Sequence, residues 1–544
     1  MTSAGHTGQV PGTIHLYEES GSSDLSNAYG NTIILQPQPS ADPEDPLNWK
    51  PWRKQLAIWS VNFYVFAIGI ATAVQYSVLT QIADETGITV SQLNLGTGLM
   101  FLFLGWGCLI WQPIAITYGR RGVYIISGIL CIIPMVWAPY SRGPHQWYAH
   151  RSLLGLFAAP VESLPEVSVP DLFFAHQRGT YMAIYAFTLF GSNFLAPFFA
   201  GFIEDGAGWH AVMYYGAAIL ALGVVLNFFF LEDTIYFRPT AEGDEQEEGL
   251  QKGTLEPKAP TGGAKNSLTQ EQYFPQTQPG AVFPTPRTYA SKLQLFRLLE
   301  GRPTKAQMCL QSWRALTNFI YFPSIVWAGL LYGTNLSWYS IMNATTSSIL
   351  GSAPYNFKPT MVGVAYLSPF IAAILGCVLS GRIADKLMLR LARRNGGTRE
   401  PEQRLWTLLV SGILSSSGLI LWGVGASRGI HFMGPIFGLG FVTIGVVCGG
   451  SISLSYAVDC FKEMAGESMI TVIIIRNTLG FAFNYAITPW IDASGLQNTF
   501  IAVSMVSLTC TLSFLLIVMF GKRLRKLSAR RYWGYVEGKT MAVH

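Results

Sequence analysis

The stretch Ile116–Ser127, ITYGRRGVYIIS, reverses a long apolar run through three residues, Gly119, Arg120 and Arg121, and a second stretch, Ser380–Arg390, SGRIADKLMLR, repeats the device far downstream. Apolar sequence long enough to form a membrane span lies on both sides of each turn. A bilayer core of about 30 Å takes about 20 helical residues. The two stretches therefore read as short basic loops between membrane-crossing helices, and the rest of the chain can be divided outward from them.

Composition supports this reading. Of 544 residues, 50% are hydrophobic and 12% charged, about half the roughly 25% charge of a soluble domain. That deficit cannot coat a water-facing surface. The net charge of +5 is small for the length, so nucleic acid is not an expected partner. The seven cysteines (Cys108, Cys131, Cys309, Cys377, Cys448, Cys460 and Cys510) are scattered without a CxxC, so neither a metal site nor a disulfide framework is indicated. No cofactor is expected. The first fifty residues are polar and lack an early apolar core, which points to an uncleaved signal anchor.

Two groups of six spans follow. The first covers roughly 56–79, 93–115, 122–139, 147–169, 181–203 and 210–231; the second covers 316–341, 361–383, 405–425, 432–456, 468–490 and 498–520. The organisation expected is a polar N-terminal tail over 1–54, a six-helix bundle over 55–232, a linker over 233–312, a second bundle over 313–521 and a basic tail over 522–544. The linker interior, GDEQEEGLQKGTLEPKAPTGGAKNSLTQEQ, is polar and aperiodic and reads as largely disordered. A short amphipathic helix is the alternative near Tyr289–Leu299. Lys and Arg concentrate in the loops on one side, which sets both tails and the linker in the cytoplasm. Two six-span halves imply a duplicated architecture with a site between them.

The quoted loops resemble the two copies of the major facilitator superfamily signature Gly-x-Leu-Ala-Asp-Arg-x-Gly-Arg-Arg. Gly119, Arg120 and Arg121 match its end, while Gly381, Ala384, Asp385 and Lys386 match its start. Ile116 and Thr117 stand where the family carries Asp and Arg. Arg151 and Gly155, in HRSLLG, resemble the family's Arg-x-x-x-Gly element. Within GSNFLAPFFAGF, Gly191 opens a stretch whose Ala196, Pro197, Ala200 and Gly201 resemble an antiporter element. The blocks DPEDPLNWKPWRK, PEVSVPDLFFAHQRGTYMA and YAVDCFKEMAGESMITVIIIRNTLGFAFNY resemble a fungal branch of the drug:proton antiporter group, whose relatives include polyamine and organic-cation carriers and metabolite exporters. The resemblance implies an all-α major facilitator fold with twelve transmembrane helices around a central cavity. It implies gating by the loops Gly119–Arg121 and Gly381–Lys386.

Five ionisable residues are the coupling or substrate candidates. Arg151 lies a few residues into span 4, where a charge needs a partner or water. It either biases a neighbouring carboxylate or snorkels outward. Glu162 and Glu166 are one turn apart in the same span, either facing a cavity or lying near the cytoplasmic surface. Two close carboxylates at low dielectric cannot both ionise comfortably, as a proton carrier requires. Arg476 falls about eight residues into span 11, roughly 12 Å deep, with Asp459 or Glu467 as expected partner. Tyr64, Gln75, Tyr76, Asn335, Trp338, Tyr339, Asn477, Asn484 and Tyr485 are the polar or amphipathic groups inside spans that can line a cavity.

The expected function is secondary transport of a small organic molecule by alternating access. Proton-coupled export of a fungal metabolite or drug leads, with organic-cation or polyamine transport as the alternative. A membrane sensor that no longer transports is the reading from another class. No ATP-binding GxxxxGK[ST] is present, and no nucleophile or acid constellation indicates an enzyme. The expected partners are the substrate, protons and the lipid bilayer. A monomer in the plasma membrane is the default, with a vacuolar or vesicular membrane as the other location.

Overall fold

The computed structural model describes residues 10–15, 42, 44–236, 289–296, 304–395 and 398–541. Among the described residues, eight helical runs are long and apolar enough to cross a membrane. A ninth, Lys305–Tyr321 followed by Pro323–Gly351, is bent by 92°. Two runs are double. The helix Ala175–Phe230 would measure about 84 Å at 1.5 Å per residue, far beyond one crossing, and it is broken at Gly208 (φ 77°, ψ 165°). Ala465–Leu512 is broken at Gly495 (φ 76°, ψ 156°). Both breaks need a positive φ that glycine adopts without a Cβ clash. They fall between the fifth and sixth spans of each half, so the duplication is written into the backbone.

Span 4 is the twelfth crossing. It is divided into Pro144–Ala158 and Pro160–Leu172, and its ionisable residues make it the least apolar of the set. A proline removes the N–H that would bond the carbonyl four residues earlier. Pro160 thus frees the carbonyl of Leu156, which accepts from Trp111 Nε1 at 2.8 Å. Pro165 frees the carbonyl of Val161, which accepts from the Tyr185 hydroxyl at 3.1 Å. The broken helix is stitched to spans 2 and 5, which holds its charged stretch in one place.

The remaining spans follow the expected order: Pro51–Ala73, Val90–Tyr118, Arg120–Trp137, Pro323–Gly351, Pro359–Arg394, Leu408–Ser427 and Met433–Cys460. Val90–Tyr118 starts at a capping box in which Thr89 and Gln92 exchange hydrogen bonds; this satisfies donors that the first turn leaves open. The halves meet along three seams. Span 2 lies against span 11, where Asn94 Nδ2 donates to Thr488 Oγ1 at 3.4 Å. Span 5 crosses span 8 at Gly201 and Gly363. The end of span 1 meets span 7, with Thr80 Oγ1 and Ser347 Oγ 2.9 Å apart. This last contact lies at the end of the bundle remote from the basic loops, here the far end; the opposite is the basic end.

Three expected boundaries move. Span 7 is preceded by a helix that begins at Lys305 behind a second capping box, Thr304 with Gln307, so the chain is ordered before residue 313. This helix crosses the seam at the basic end. Ser312 Oγ donates to Leu109 O at 2.9 Å, while Thr471 Oγ1 donates to Ala315 O at 2.8 Å. The last helix runs on through the expected tail to Met541. Tyr289–Lys292 makes a single helical turn, shorter than the amphipathic alternative, and the linker from 237 to 288 and 297 to 303 lies outside the described residues.

Candidate functional site

A cavity of about 70 Å³ lies between the halves. One water needs about 10–15 Å³ by this measure, so the space in this conformation holds only a few small groups. The first half supplies walls from spans 1, 2, 4 and 5; the second supplies spans 7 and 11. Tyr332, Leu336, Tyr339, Ser340 and Asn343 recur at helical spacing along span 7 and make one face of it.

The charges in this wall are Glu162 and Arg476, paired carboxylate to guanidinium across the halves. Both are nearly buried, Glu162 at 8% and Arg476 at 5% exposure. Asn477 Nδ2 donates to the other carboxylate oxygen at 2.8 Å, and the guanidinium carbon stands 4.7 Å from the Tyr332 ring centre. A buried ion pair of this kind gains little net stability, because desolvation cancels most of the attraction. Its value lies in where it is placed: one charge on each body of a two-body machine.

Glu166, one turn further along span 4, keeps a buried oxygen, Oε2, without a hydrogen-bond partner. Arg151 is 2% exposed and does not sit against a carboxylate. It donates to Thr72 O at 3.1 Å and to Met100 Sδ at 3.0 Å, which bolts span 4 to spans 1 and 2. Arg151 is buried rather than snorkelling. The partner of Arg476 also differs from either one expected. Asp459 faces Arg399 at 3.7 Å, and Glu467 accepts from the Tyr535 hydroxyl at 2.6 Å. Asp459 is therefore outside the cavity.

The loop residues act within each half. Arg120 pairs with Asp171 at the end of span 4. Arg121, buried, donates to Leu231 O at 2.7 Å and Phe228 O at 2.6 Å, satisfying carbonyls that the end of span 6 leaves open. It also reaches the carbonyls of Leu293 and Gln294, so the linker segment is pinned to the first half. Asp385 meets Arg404 at 2.9 Å, a contact inside the second half, with Lys386 exposed beside it and Gly381 in a π-turn. Gly191, Ala196, Pro197, Ala200 and Gly201 follow the seam: Ala196 and Ala200 are fully buried. A Cβ on Gly201 would stand 2.4 Å from Pro359 O.

Tyr76 and Tyr339 alone, of the nine polar positions singled out inside spans, line the cavity. Tyr64 turns to Ser127 at 2.7 Å within the first half, and Tyr485 is 61% exposed. Asn193, Tyr332 and Asn343 also line the cavity and fall outside those nine positions. The helical repeat of span 7 was the signal that leads to the last two.

Comparison with known proteins agrees with this architecture. The family model for the Major Facilitator Superfamily matches residues 61–483. The chain is 28% identical to an uncharacterized MFS-type transporter of Schizosaccharomyces pombe, over 98% of this chain and 96% of that one. It is 27% identical to Protein HOL1 of Saccharomyces cerevisiae, over 98% of each. Its fold is similar to that of a crystal structure of a peptide transporter POT in complex with sulfate, with a TM-score of 0.55 at 13% identity, over 86% of this chain and 95% of that one. Two six-span halves around a shared cavity, and the family match across both, lead to one assignment: the chain is a member of the Major Facilitator Superfamily, a multi-pass membrane transporter.

Proposed function

We propose that the protein exports a small organic molecule by alternating access, in exchange for protons. The observation that carries the reading is the Glu162–Arg476 pair, split between the halves inside the cavity. Protonating Glu162 removes the charge that holds the guanidinium, so the halves can separate; losing the proton remakes the pair and draws them together. Glu166, with its unpartnered oxygen nearer the basic end, is the next stop for the proton. The antiporter-like element of span 5 supports exchange, and the basic loops support a cytoplasmic basic end.

The wall chemistry favours a compact, partly aromatic or apolar substrate. Phe101, Phe190, Tyr76, Tyr332 and Tyr339 supply faces, and Asn193 and Asn343 supply polar contacts. An organic cation is the second reading, favoured by the buried, unpartnered oxygen of Glu166 one turn from the cavity and by tyrosine faces of the sort that already receive Arg476.

Reconstituted vesicles with an imposed pH gradient and an internal pH dye test this. Candidate metabolites and organic cations are expected to trigger proton movement in the wild type. Glu166→Gln is expected to lower gradient-driven accumulation on the order of a hundredfold while downhill exchange continues. Equal accumulation in wild type and variant removes Glu166 from the mechanism. Binding without flux under any gradient favours the sensor over the transporter.

A further inference from the structure

At the basic end, six residues of the N-terminal segment lie in a groove of the second half. Val10-Pro11-Gly12-Thr13 forms a turn closed by Thr13 N–H on Val10 O at 3.4 Å. Proline presets its second position, and Gly12, at φ 78°, supplies the positive φ of the third. Ile14 and His15 then pair antiparallel with Arg399 and Thr398.

One side chain holds the turn down. Arg525 is fully buried and grips Glu402 with two hydrogen bonds, Nε to Oε1 at 2.9 Å and Nη2 to Oε2 at 2.8 Å. Nη1 is left for the N-terminal segment and donates to Pro11 O at 2.5 Å and Thr13 Oγ1 at 3.1 Å. Gly12 presses on the end of span 10, where a Cβ would stand 2.6 Å from Asp459 O. Only a residue without a side chain fits that approach.

We propose that the groove formed by Thr398–Glu402, Asp459–Cys460 and Arg525 is a binding site for a Pro–Gly turn, and that the chain's own N-terminus occupies it as a removable clamp that slows the transport cycle. Its contacts tie the segment before span 9, the end of span 10 and the basic continuation of span 12 into one block. Span 10 is the fourth span of its half, the counterpart of span 4, which carries Glu162. A clamp on its end holds still an element that must shift when the halves rock. A few hydrogen bonds and the buried Pro11 hold the turn, so it can leave without unfolding anything else.

The binding claim stands apart from the transport reading, and the rate claim rests on it. The test uses the full chain carrying Gly12→Val, with a synthetic peptide of residues 8–17. Amide exchange at residues 398–402 and 459–460 is expected to be at least tenfold faster in the variant. The wild-type peptide should restore protection, and the peptide carrying Gly12→Val should not. Equal exchange in variant and wild type overturns the site. Turnover in vesicles is expected to be several-fold faster in the variant and to fall back when the peptide is added; an equal or slower rate overturns the clamp. If wild type and variant alike transport nothing under any gradient while the exchange difference holds, the transport reading and the rate claim fall together and the peptide site stands.

Discussion

Arg476→Leu is expected to abolish gradient-driven transport and to cost the folded protein about 3–5 kcal/mol. The loss comes from what stays behind. Glu162 is 8% exposed and would keep only the Asn477 amide, at 2.8 Å, against the desolvation of a full charge. With no cation opposite it, Glu162 can no longer make and break a pair across the halves, which stops the step that the pair should drive. Removing both charges separates the two effects. Glu162→Gln with Arg476→Leu leaves no buried unpaired ion, and replacing a whole buried pair is often neutral or stabilising. The double variant is therefore expected to regain most of the lost thermal stability and none of the coupled transport. Thermal unfolding and vesicle flux, measured side by side, check this. Wild-type transport in the double variant would show that the pair is only a structural clasp.

Gly201→Val is expected to lower transport by roughly ten- to a hundredfold with the protein still folded, because overpacking of this kind costs about 1–3 kcal/mol and 1.4 kcal/mol is a factor of ten. The cost falls on one conformation. A Cβ at Gly201 would stand 2.4 Å from the carbonyl oxygen of Pro359, which is backbone and cannot turn aside. Gly363 across the seam has the same difficulty with Phe198 O, at 2.9 Å. The added bulk wedges span 5 from span 8 and disfavours the state in which the halves are closed at that point. Gly191 is the control. A Cβ there meets the Phe370 ring at 3.4 Å, an ordinary contact, so Gly191→Ala should transport within about a factor of two of the wild type, which corresponds to the few tenths of a kcal/mol expected for such sites. Labelling of a cysteine placed at Ser340, in the cavity wall, should be faster from the outer face in Gly201→Val than in the parent. Unchanged labelling and transport would remove the seam from the account.

Much of the fold was legible because membranes impose simple lengths. Apolar runs of about 20 residues located twelve crossings, including span 4, whose charges and prolines made it the least regular. The two helical runs that each contain a pair of spans divide between Ile203 and His210 and between Trp490 and Asn498, where Gly208 and Gly495 break them, because no single span is that long. What sequence could not reveal was which long-range partners meet. In the sequence Glu162 stands one turn from Glu166, and Arg476 lies near Asp459 and Glu467, so those are the pairings that spacing offers. The actual pairing of Glu162 with Arg476 joins residues of different halves, and only the packing of span 4 against span 11 brings them together. The helix Lys305–Tyr321 straddles the expected boundary, its first turns in the linker and its end in span 7, because Lys305, Gln307, Gln311 and Arg314 dilute its apolar side. Its capping box, Thr304 and Gln307, was the missed start signal. Val-Pro-Gly-Thr at residues 10–13 is a turn by its residue types, but four residues do not say what they dock against.

Alternating access requires the halves to part at the far end and close again in each cycle. Thr80 and Ser347 belong to opposite halves there, with their hydroxyl oxygens 2.9 Å apart. A chain carrying Thr80→Cys and Ser347→Cys, with the exposed Cys309 replaced by Ser, can be cross-linked by mild oxidation and released by a reductant. Transport in vesicles is predicted to stop on cross-linking and to return on reduction, while either single cysteine variant transports throughout. Full-rate transport by the cross-linked protein would contradict the account.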